Sequence, residues 1–217
     1  MERSMIKPEH IRRDSLRKIL ELGLKPPEHL PMNDDLVLKV TSEAACQRLS
    51  ILNAVVSLCF GCPQWIIKQW LSNNDLVELL TAKERDFIYG AEPTSATISN
   101  FELSIEAVWA LLWALGQIPA LNHNSYCGDN LKELAPRVGD KNHSAKEFVA
   151  SASLRSEMEI AREADYLYCL DWFARKSELN GQLVGLRVRA YVIRKRRHAL
   201  SWLLSSNSNW DEVPLDT

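Results

Sequence analysis

The sequence contains little glycine and none of the short motifs in which glycine binds a phosphate or exposes a nucleophile. Only eight of its 217 residues are glycine, and they occur singly along the chain. It has no Gly-rich phosphate loop, dinucleotide fingerprint, H-E-x-x-H zinc motif or G-x-S-x-G elbow. These absences exclude the enzyme classes that depend on such motifs. We predict no cofactor and favour a protein that is not an enzyme.

The chain also lacks an excess of charge of either sign. Its 26 Lys and Arg residues against 28 Asp and Glu residues give a formal net charge of −2 at pH 7. The field of the whole protein therefore attracts neither nucleic acid nor an anionic membrane, although a local basic patch stays compatible with this balance. Net charge by itself predicts no class of partner.

No apolar run approaches the roughly 20 residues that a membrane-spanning helix needs. The N-terminal stretch MERSMIKPEHIRRDSLRK is charged throughout and lacks the apolar core of a signal peptide. The five cysteines are an odd count, and three of them lie in apolar helical sequence, which favours reduced, buried thiols over a disulfide framework. We therefore expect a cytoplasmic protein that does not contact the membrane.

Cys59 and Cys62 form a C-x-x-C pair, which by itself is compatible with a redox site or half of a zinc site. Cys59 closes a predicted helix, where the negative end of the helix dipole raises rather than lowers the pKa of a thiol. The remaining metal-ligand types are scattered at Cys127, Cys169, His123 and His143. We predict that the pair packs in the core or at a helix junction and that the protein binds no metal.

The longest apolar run, Ala107 to Leu115, has no polar side. A helix that is apolar all round must be covered on every side, and nine residues are too short for a membrane span. The spacing of Ser99 and Glu102 matches a capping box, and Gly116 is a typical C-terminal stop. The sequence thus predicts a central core helix from Phe101 to Gly116.

Helical periodicity covers most of the remaining chain, and no segment carries a clear strand pattern. We predict an all-α, single-domain bundle of seven to nine helices spanning residues 1–217. Long loops are expected at about 24–40 and 117–141, where Pro, Gly, Asn and Asp are frequent. An irregular C-terminal tail is expected over 205–217.

Several helix boundaries carry specific signals. Pro8 at a first helical position predicts the start of a helix that places Arg12 on its solvent side. Thr81 with Glu84 and Ser144 with Glu147 have capping-box spacing, and the helical pattern after Ser144 is interrupted near 151–156. The last helix is predicted to run from about Leu183 to Leu204.

A basic segment lies in this last helix: Arg187, Arg189, Arg194, Lys195, Arg196, Arg197 and His198. Clustered arginines are the usual footprint of a nucleic-acid-binding surface. An apolar stripe runs through the same segment and includes Arg197, so at least that charge faces inward. The other basic residues more often form a solvated face, so the pattern does not favour a nucleic-acid partner.

An inward-facing arginine requires a carboxylate partner, because breaking a buried ion pair costs about 3–5 kcal/mol. The candidate binding residues are Glu106, Asp165, Arg197, Trp210, Asp211 and Asp216. Two carboxylates beside one arginine would suit acid–base or metal chemistry. The alternative is structural: Trp210 docks the tail, and Asp211 pairs with Arg197 or a neighbouring arginine.

Three blocks of the sequence resemble those of a known family. They are IEAVWALLWALG (Ile105 to Gly116), ADYLYCLDWFARK (Ala164 to Lys176), and RRHALSWLL with WDEVPLDT (Arg196 to Leu204 and Trp210 to Thr217). Together they resemble the bacterial family 4272 of domains of unknown function, over nearly the whole chain. The middle block departs from the family pattern, because Cys169 and Asp171 replace an arginine and a histidine, and Phe173 replaces a small residue. The resemblance implies a helical, soluble bacterial protein and no established activity.

Three functions follow as hypotheses. The leading one is a non-enzymatic cytosolic binding protein, an immunity-type inhibitor or accessory protein that occludes a partner protein such as a toxin. The second is an enzyme that uses the Glu106, Asp165 and Arg197 cluster, and the third is a nucleic-acid binder that uses Arg187 to Arg197. A cleft lined by the carboxylates would favour the enzyme, and a contiguous exposed arginine strip the nucleic-acid binder.

Overall fold

The computed structural model describes residues 7–25, 30–32, 36–140, 144–179, 188–206 and 209–215. Within those ranges the chain is all-helical and contains no strand, which confirms the predicted fold class. The α-helices are α1 (Pro8–Glu21), α2 (Ser42–Cys59), α3 (Gln64–Asn73), α4 (Ala82–Tyr89), α5 (Ser95–Glu102), α6 (Ile105–Ala114), α7 (Leu131–Leu134), α8 (Ala145–Ser151), α9 (Glu157–Leu179) and α10 (Ala190–Leu204). Two 3-10 turns lie at Val77–Leu79 and Trp210–Glu212, and α7 is a single helical turn.

Helix α6 is the centre of the bundle, as its apolar sequence predicts. It packs against α2 and α10, and every residue from Glu106 to Leu115 is buried. Gly116 ends the helix with φ of 73°, and the backbone N–H groups of Gly116 and Gln117 donate to the carbonyls of Trp113 and Leu112. This is the left-handed glycine cap that closes many helices.

The predicted start of this helix is wrong by about one turn. Ser99 and Glu102 do not form a capping box, because both lie inside the separate helix α5. The cap of α5 is Thr94, whose hydroxyl accepts a hydrogen bond from the N–H of Thr97. The chain then turns at Leu103 and Ser104 before α6 begins at Ile105. Because Thr94 already caps α5, Ser99 lies inside a helix and caps none, and α6 begins only after the turn at Leu103 and Ser104.

Two apolar cores share α2. The large core brings α1, α2, α6, α9 and α10 together, while the small core joins α2 to α3 and α4. Leu49 and Leu52 of α2 belong to the large core, and Ile51 and Val55 belong to the small one. Because residues on both sides of α2 are buried, this helix joins the two parts of the bundle.

Most other boundaries agree with their sequence signals. The capping boxes of Thr81 with Glu84 and Ser144 with Glu147 are both present, and the chain is interrupted between α8 and α9 as predicted. The last helix begins at Ala190 instead of near Leu183, since Val188 and Arg189 are not helical; residues 183–187 lie outside the described ranges. No helix in the described part of the chain is both long and apolar enough to cross a membrane.

Candidate functional site

Among the described residues, four arginines are buried inside the bundle: Arg12, Arg48, Arg196 and Arg197. Each of them contacts a buried carboxylate at 2.8 Å or less. Of these four arginines, the apolar stripe in the last helix predicted only that Arg197 points into the bundle. An ion pair at such depth is stable only when its remaining donors and acceptors find partners, so the surroundings of each pair decide its role.

Glu106 pairs with Arg196 rather than with Arg197. The Nε and Nη2 atoms of Arg196 donate to Glu106 Oε2 at 2.9 and 2.7 Å. Its remaining donors reach the carbonyl oxygens of Asn122 and Ser125, while the N–H of Cys127 donates to Glu106 Oε1 at 2.9 Å. This pair therefore fixes the loop that follows α6 to the inside of the bundle.

Asp165 pairs with Arg12, which the sequence had placed on the solvent side of α1. Arg12 Nη2 lies 2.8 Å from Asp165 Oδ1, and its side chain is 7% exposed. The same guanidinium donates to the carbonyl oxygens of Leu30 and Pro31. The solvent-side prediction is wrong because the described part of the 24–40 loop covers this face of α1, and a loop leaves no periodic signal in the sequence.

Arg197 pairs with Asp171, a residue that the sequence singled out only as a departure from the family pattern. Arg197 Nη1 lies 2.6 Å from Asp171 Oδ2. Arg175 and Arg194 approach the same carboxylate at 3.2 and 3.5 Å. The Glu106, Asp165 and Arg197 cluster is therefore three separate ion pairs, each with its own partner.

Tyr168 joins two of these pairs through its ring. The guanidinium carbons of Arg12 and Arg197 lie 5.2 and 4.8 Å from the ring centroid, within the range of cation–π attraction. Burial raises the pKa of the Tyr168 hydroxyl, so the phenol is neutral at physiological pH. Tyr168 falls three residues before Asp171 and three after Asp165, a spacing that places all three near one side of α9.

A cavity of about 370 Å³ opens beside Tyr168, and we call it the Tyr168 cavity. It lies where α9, α10, the 24–40 loop and the C-terminal tail meet. Its lining residues are Pro31, Met32, Ala164, Tyr168, Arg197, Ser201, Leu204, Ser205, Ser206, Val213 and Pro214. A buried guanidinium, a phenol ring and three serines thus share one small space with apolar side chains.

The tail docks through Trp210, as the structural alternative predicted. Trp210 is 7% exposed, and its ring lies 4.3 Å from that of His198 and 5.5 Å from that of Trp202. A ring nitrogen of His198, Nε2, is 2.9 Å from the Trp210 carbonyl oxygen. The guanidinium carbon of Arg48, which is held by Glu84, lies 5.4 Å from the Trp210 ring on the α2 side.

Asp211 of the tail does not pair with Arg197. Asp211 Oδ1 lies 4.0 Å from Lys83 Nζ, where both side chains are partly solvated. Its predicted pairing with an arginine of the last helix is therefore wrong, because α10 directs Arg196 and Arg197 to Glu106 and Asp171 instead. Asp216 lies outside the described residues.

The basic segment of α10 is not the solvated face that its charge suggested. Arg196 and Arg197 are buried, Arg194 approaches Asp171, and Lys195 Nζ donates to the carbonyl of Asn100 at 3.3 Å. Arg189 is exposed, and Arg187 lies outside the described residues. The described part of the segment therefore presents no contiguous exposed strip of arginines.

The five cysteines are free thiols. Burial raises the pKa of Cys59 and Cys127 to about 11 and also raises that of Cys62, so these thiols stay protonated at neutral pH. Cys59 lies at the C-terminal end of α2, as predicted. Within the described ranges, no group of three or more His, Cys, Asp or Glu side chains is arranged to hold a metal ion.

Two exposed aromatic side chains lie near the junction of α2 and α3. Phe60 and Trp65 are 62% and 67% exposed on either side of Gly61, whose φ of 87° ends α2. Phe60 lines a groove of about 860 Å³, and Trp65 lines a second one of about 330 Å³. The segment 137–140 separates the two grooves, because its first two residues line the larger and its last two the smaller. We call Phe60, Trp65 and both grooves the aromatic face.

The larger groove has an apolar floor and a charged rim. Its lining comprises Asn53, Val56, Ser57, Phe60, Cys62, Ile105, Cys127, Gly128, Asp129, Leu131, Lys132, Glu133, Pro136, Arg137 and Val138. The side-chain amide of Asn53 donates to the Pro136 carbonyl at 2.8 Å and so fixes the outer wall to α2. The sequence analysis missed this face, because exposure of a single Phe or Trp leaves no pattern in the sequence.

Comparison with known proteins identifies one relationship. The family model described as domain of unknown function (DUF4272) matches residues 12–213, which is nearly the whole chain. No curated protein and no solved structure matches the chain. The match includes the buried ion pairs, the aromatic face and every lining residue of the Tyr168 cavity except Pro214.

Proposed function

The chain belongs to the DUF4272 family of domains of unknown function, and we propose that it is a non-enzymatic protein-binding module that contacts its partner through the aromatic face. In this proposal it acts in the cytosol as an immunity-type inhibitor or accessory protein. Five free thiols fit a reducing compartment. The partner, such as a toxin, is occluded by being held against Phe60 and Trp65.

The exposure of Trp65 is the observation that carries the proposal. Five other tryptophans are at most 9% exposed: Trp70, Trp109, Trp113, Trp202 and Trp210. Trp65 is 67% exposed, and Phe60 nearby is 62% exposed. Leaving large aromatic rings in water is unfavourable for an isolated protein, whereas Trp and Phe are enriched among residues that dominate binding at protein interfaces.

The larger groove defines the chemistry of the partner segment. Its floor is apolar, and the thiols of Cys62 and Cys127 are uncharged because burial raises their pKa. The charged rim residues are Asp129, Lys132, Glu133 and Arg137, whose signs cancel. A segment that presents apolar side chains and carries little net charge fits this surface, since a strongly charged segment would meet repulsion from two of the four rim residues.

The paired state of the buried carboxylates does not favour the enzyme hypothesis. Glu106 and Asp165 each accept two or more hydrogen bonds from an arginine. Neither carboxylate lines the Tyr168 cavity or either groove of the aromatic face, so neither is placed to contact a substrate bound there. In our proposal these carboxylates maintain the fold on which the aromatic face is presented.

Site-specific photo-crosslinking identifies the partner and tests the face at the same time. A photoreactive phenylalanine analogue is placed at position 60 or 65, and at position 20 as the matched control, since Leu20 on α1 is also 59% exposed. Crosslinking is done in the native host. We expect one protein to crosslink from positions 60 and 65 and not from position 20. Equal crosslinking from all three positions would contradict the proposal.

Calorimetry with the purified partner then measures the contribution of the face. Replacing a central aromatic residue at an interface typically costs at least 2 kcal/mol of binding free energy, which is roughly a 30-fold loss of affinity. We expect that loss for Phe60→Ser and for Trp65→Ser, and unchanged affinity for Leu20→Ser. Unchanged affinity in both aromatic variants would overturn the proposal.

A further inference from the structure

We propose that the larger groove of the aromatic face also binds the same groove of a second copy of this chain, forming a weak two-fold dimer that the partner protein displaces. This inference rests on the proposed function, since it gives the same face an occupant when no partner is bound. It depends on the order of the charges along the groove rim, whereas the proposed function depends on the exposure of the aromatic rings.

Four exposed charges line the groove in the order acid, base, acid, base. They are Asp129, Lys132, Glu133 and Arg137, and all four belong to the segment that includes α7. A two-fold interface uses the same patch on both copies, so residue i contacts residue j and j contacts i. A row of charges suits such an interface when reversing the row exchanges every sign, and this row has that property.

Antiparallel pairing of the two segments brings opposite charges together along the whole rim. Asp129 of one copy lies opposite Arg137 of the second copy, and Lys132 lies opposite Glu133. The two pairs have nearly the same midpoint along the chain, close to Glu133, so one two-fold axis serves both. Each pair occurs twice in the dimer. Opposite charges that face each other in this way fix the register of an interface and suppress other arrangements.

Both ends of the charged segment are fixed to the bundle. The N–H of Cys127 donates to Glu106 Oε1 at 2.9 Å, and the side-chain amide of Asn53 donates to the Pro136 carbonyl at 2.8 Å. Leu131, which lies between these points, is buried in the large core. The backbone that carries the rim charges is therefore ordered before binding, which lowers the entropic cost of forming the dimer.

Arg137 can exchange its contact within the chain for one across the dimer. Its Nη1 atom lies 3.9 Å from Asp140 Oδ2, and the two side chains are 47% and 33% exposed. A solvated pair of this kind contributes little to stability, because water screens both charges. The contact with Asp140 therefore does not oppose pairing with Asp129 of the second copy.

The apolar floor provides the centre of the interface. Phe60 is 62% exposed at the groove, and contact with the second copy removes its ring from water. An apolar centre inside a polar rim is the usual arrangement at protein interfaces. Fifteen residues line the groove, fewer than the roughly 20–30 that each side of a standard interface contributes. We therefore expect a weak dimer, with a dissociation constant on the order of 100 μM, which a tighter partner replaces.

Sedimentation equilibrium of the purified full-length chain tests the inference without the partner. We expect a reversible equilibrium between the monomer and a dimer of twice the 24.7 kDa chain mass. A chain that stays monomeric well above the expected dissociation constant would overturn the inference. So would species that keep growing beyond the dimer as the concentration rises, because a head-to-tail contact does not close on itself.

Exchanging two of the charges tests the antiparallel order. Lys132→Glu places like charges opposite each other twice in the dimer, and we expect at least about tenfold weaker dimerisation. The double variant Lys132→Glu with Glu133→Lys restores opposite charges at both places, so it should dimerise as strongly as the wild type. Arg13→Glu on α1, an exposed site with the same change of net charge, is the matched control and should dimerise unchanged. Circular dichroism checks the folding of all variants.

The outcomes separate this inference from the proposed function. Unchanged dimerisation of Lys132→Glu would contradict the dimer, and so would a double variant that dimerises as weakly as the single one. A monomeric chain that crosslinks a partner from positions 60 and 65 rejects the dimer and retains the proposed function. A dimeric chain that crosslinks only to itself in the native host, giving an adduct of twice the chain mass, retains the dimer and rejects the proposed function.

Discussion

The α1–α9–α10 side of the bundle buries charged side chains, whereas the aromatic face exposes apolar ones. The first region buries charge: Arg12 with Asp165, Arg196 with Glu106 and Arg197 with Asp171 all lie in the interior. The second exposes apolar rings, because Phe60 and Trp65 are mostly in water. Both arrangements are unfavourable when considered one residue at a time.

The buried ion pairs and the exposed aromatic rings contribute to the protein in different ways. The buried pairs connect parts of the chain that are far apart in sequence, and two of them also hold loop carbonyls at Leu30, Pro31, Asn122 and Ser125. They therefore determine how irregular segments pass over the helices. The rings of Phe60 and Trp65 lie mostly in solvent, and we propose that they contact a partner. We therefore propose that the first region provides stability and that the second provides binding.

The largest expected effect comes from breaking one buried pair. Arg196→Met keeps most of the side-chain volume but leaves Glu106 buried without its arginine, and it removes the donors to the Asn122 and Ser125 carbonyls. We expect the free energy of unfolding to fall by about 4 kcal/mol in urea melts. A loss below about 1 kcal/mol would show that the pair does not stabilise this region.

Arg17→Met is the matched control for that measurement. Arg17 also lies near two carboxylates, Asp14 at 3.3 Å and Glu21 at 4.0 Å, but its side chain is 68% exposed. An exposed pair contributes only about 0–1 kcal/mol, since water screens the charges. If the two variants lose similar free energies of unfolding, burial does not determine how much an ion pair contributes to stability.

Removing the ring of Trp210 is expected to have the next largest effect. Trp210→Ala removes the contacts with His198, Trp202 and Arg48 that dock the tail. We expect a loss of about 3 kcal/mol in the same urea melts, as for other buried aromatic side chains. If Trp210→Ala unfolds like the wild type, the tail is not a structural latch and becomes a candidate recognition element.

The sequence predicted those features that depend on neighbouring residues. The glycine stop at Gly116, the capping boxes at Thr81 and Ser144, and the burial of α6 all follow from local patterns. Ser99 misled the prediction of where α6 begins, because it has the spacing of a cap but lies inside α5, which Thr94 caps. Local signals therefore identify helices well and locate their ends less well.

The sequence did not predict which charges pair. Arg196 and Arg197 are adjacent, so on a helix they point about 100° apart. Helix α10 contacts α6 on one side and α9 on another, and the two arginines reach Glu106 and Asp171 respectively. A single apolar stripe cannot indicate that a helix has two buried sides. The partner of each arginine thus depends on packing that sequence periodicity does not contain.

Acidification is expected to weaken the docking of the tail, with a smaller effect on stability than Trp210→Ala has. Burial lowers the pKa of His198 from 6.5 to about 4, with Lys195 and Arg48 opposing and Asp211 favouring its protonation. The unfolded chain then binds the proton more readily, so this contribution to stability is complete above about pH 6.5 and is lost as the pH falls toward 4. Between pH 7 and 4.5 the loss is on the order of 2 kcal/mol.

His198→Gln isolates this contribution from that of the carboxylates. Glutamine keeps an amide donor near the Trp210 carbonyl and does not titrate. We expect the stability of the variant, measured by urea melts at several pH values, to fall less steeply than that of the wild type below pH 6.5. If stability falls with pH in parallel for the two proteins, His198 does not make the docking of the tail dependent on pH.

Phe60→Ser tests the assignment of binding to the aromatic face and of stability to the buried pairs most directly. Because the Phe60 side chain is 62% exposed, we expect the free energy of unfolding to stay within about 0.5 kcal/mol of the wild type. The measurement is the dissociation constant of the crosslinked partner, determined by calorimetry on the same preparation. The account predicts roughly 30-fold weaker binding by this equally stable variant. Wild-type affinity in an equally stable Phe60→Ser protein would contradict it.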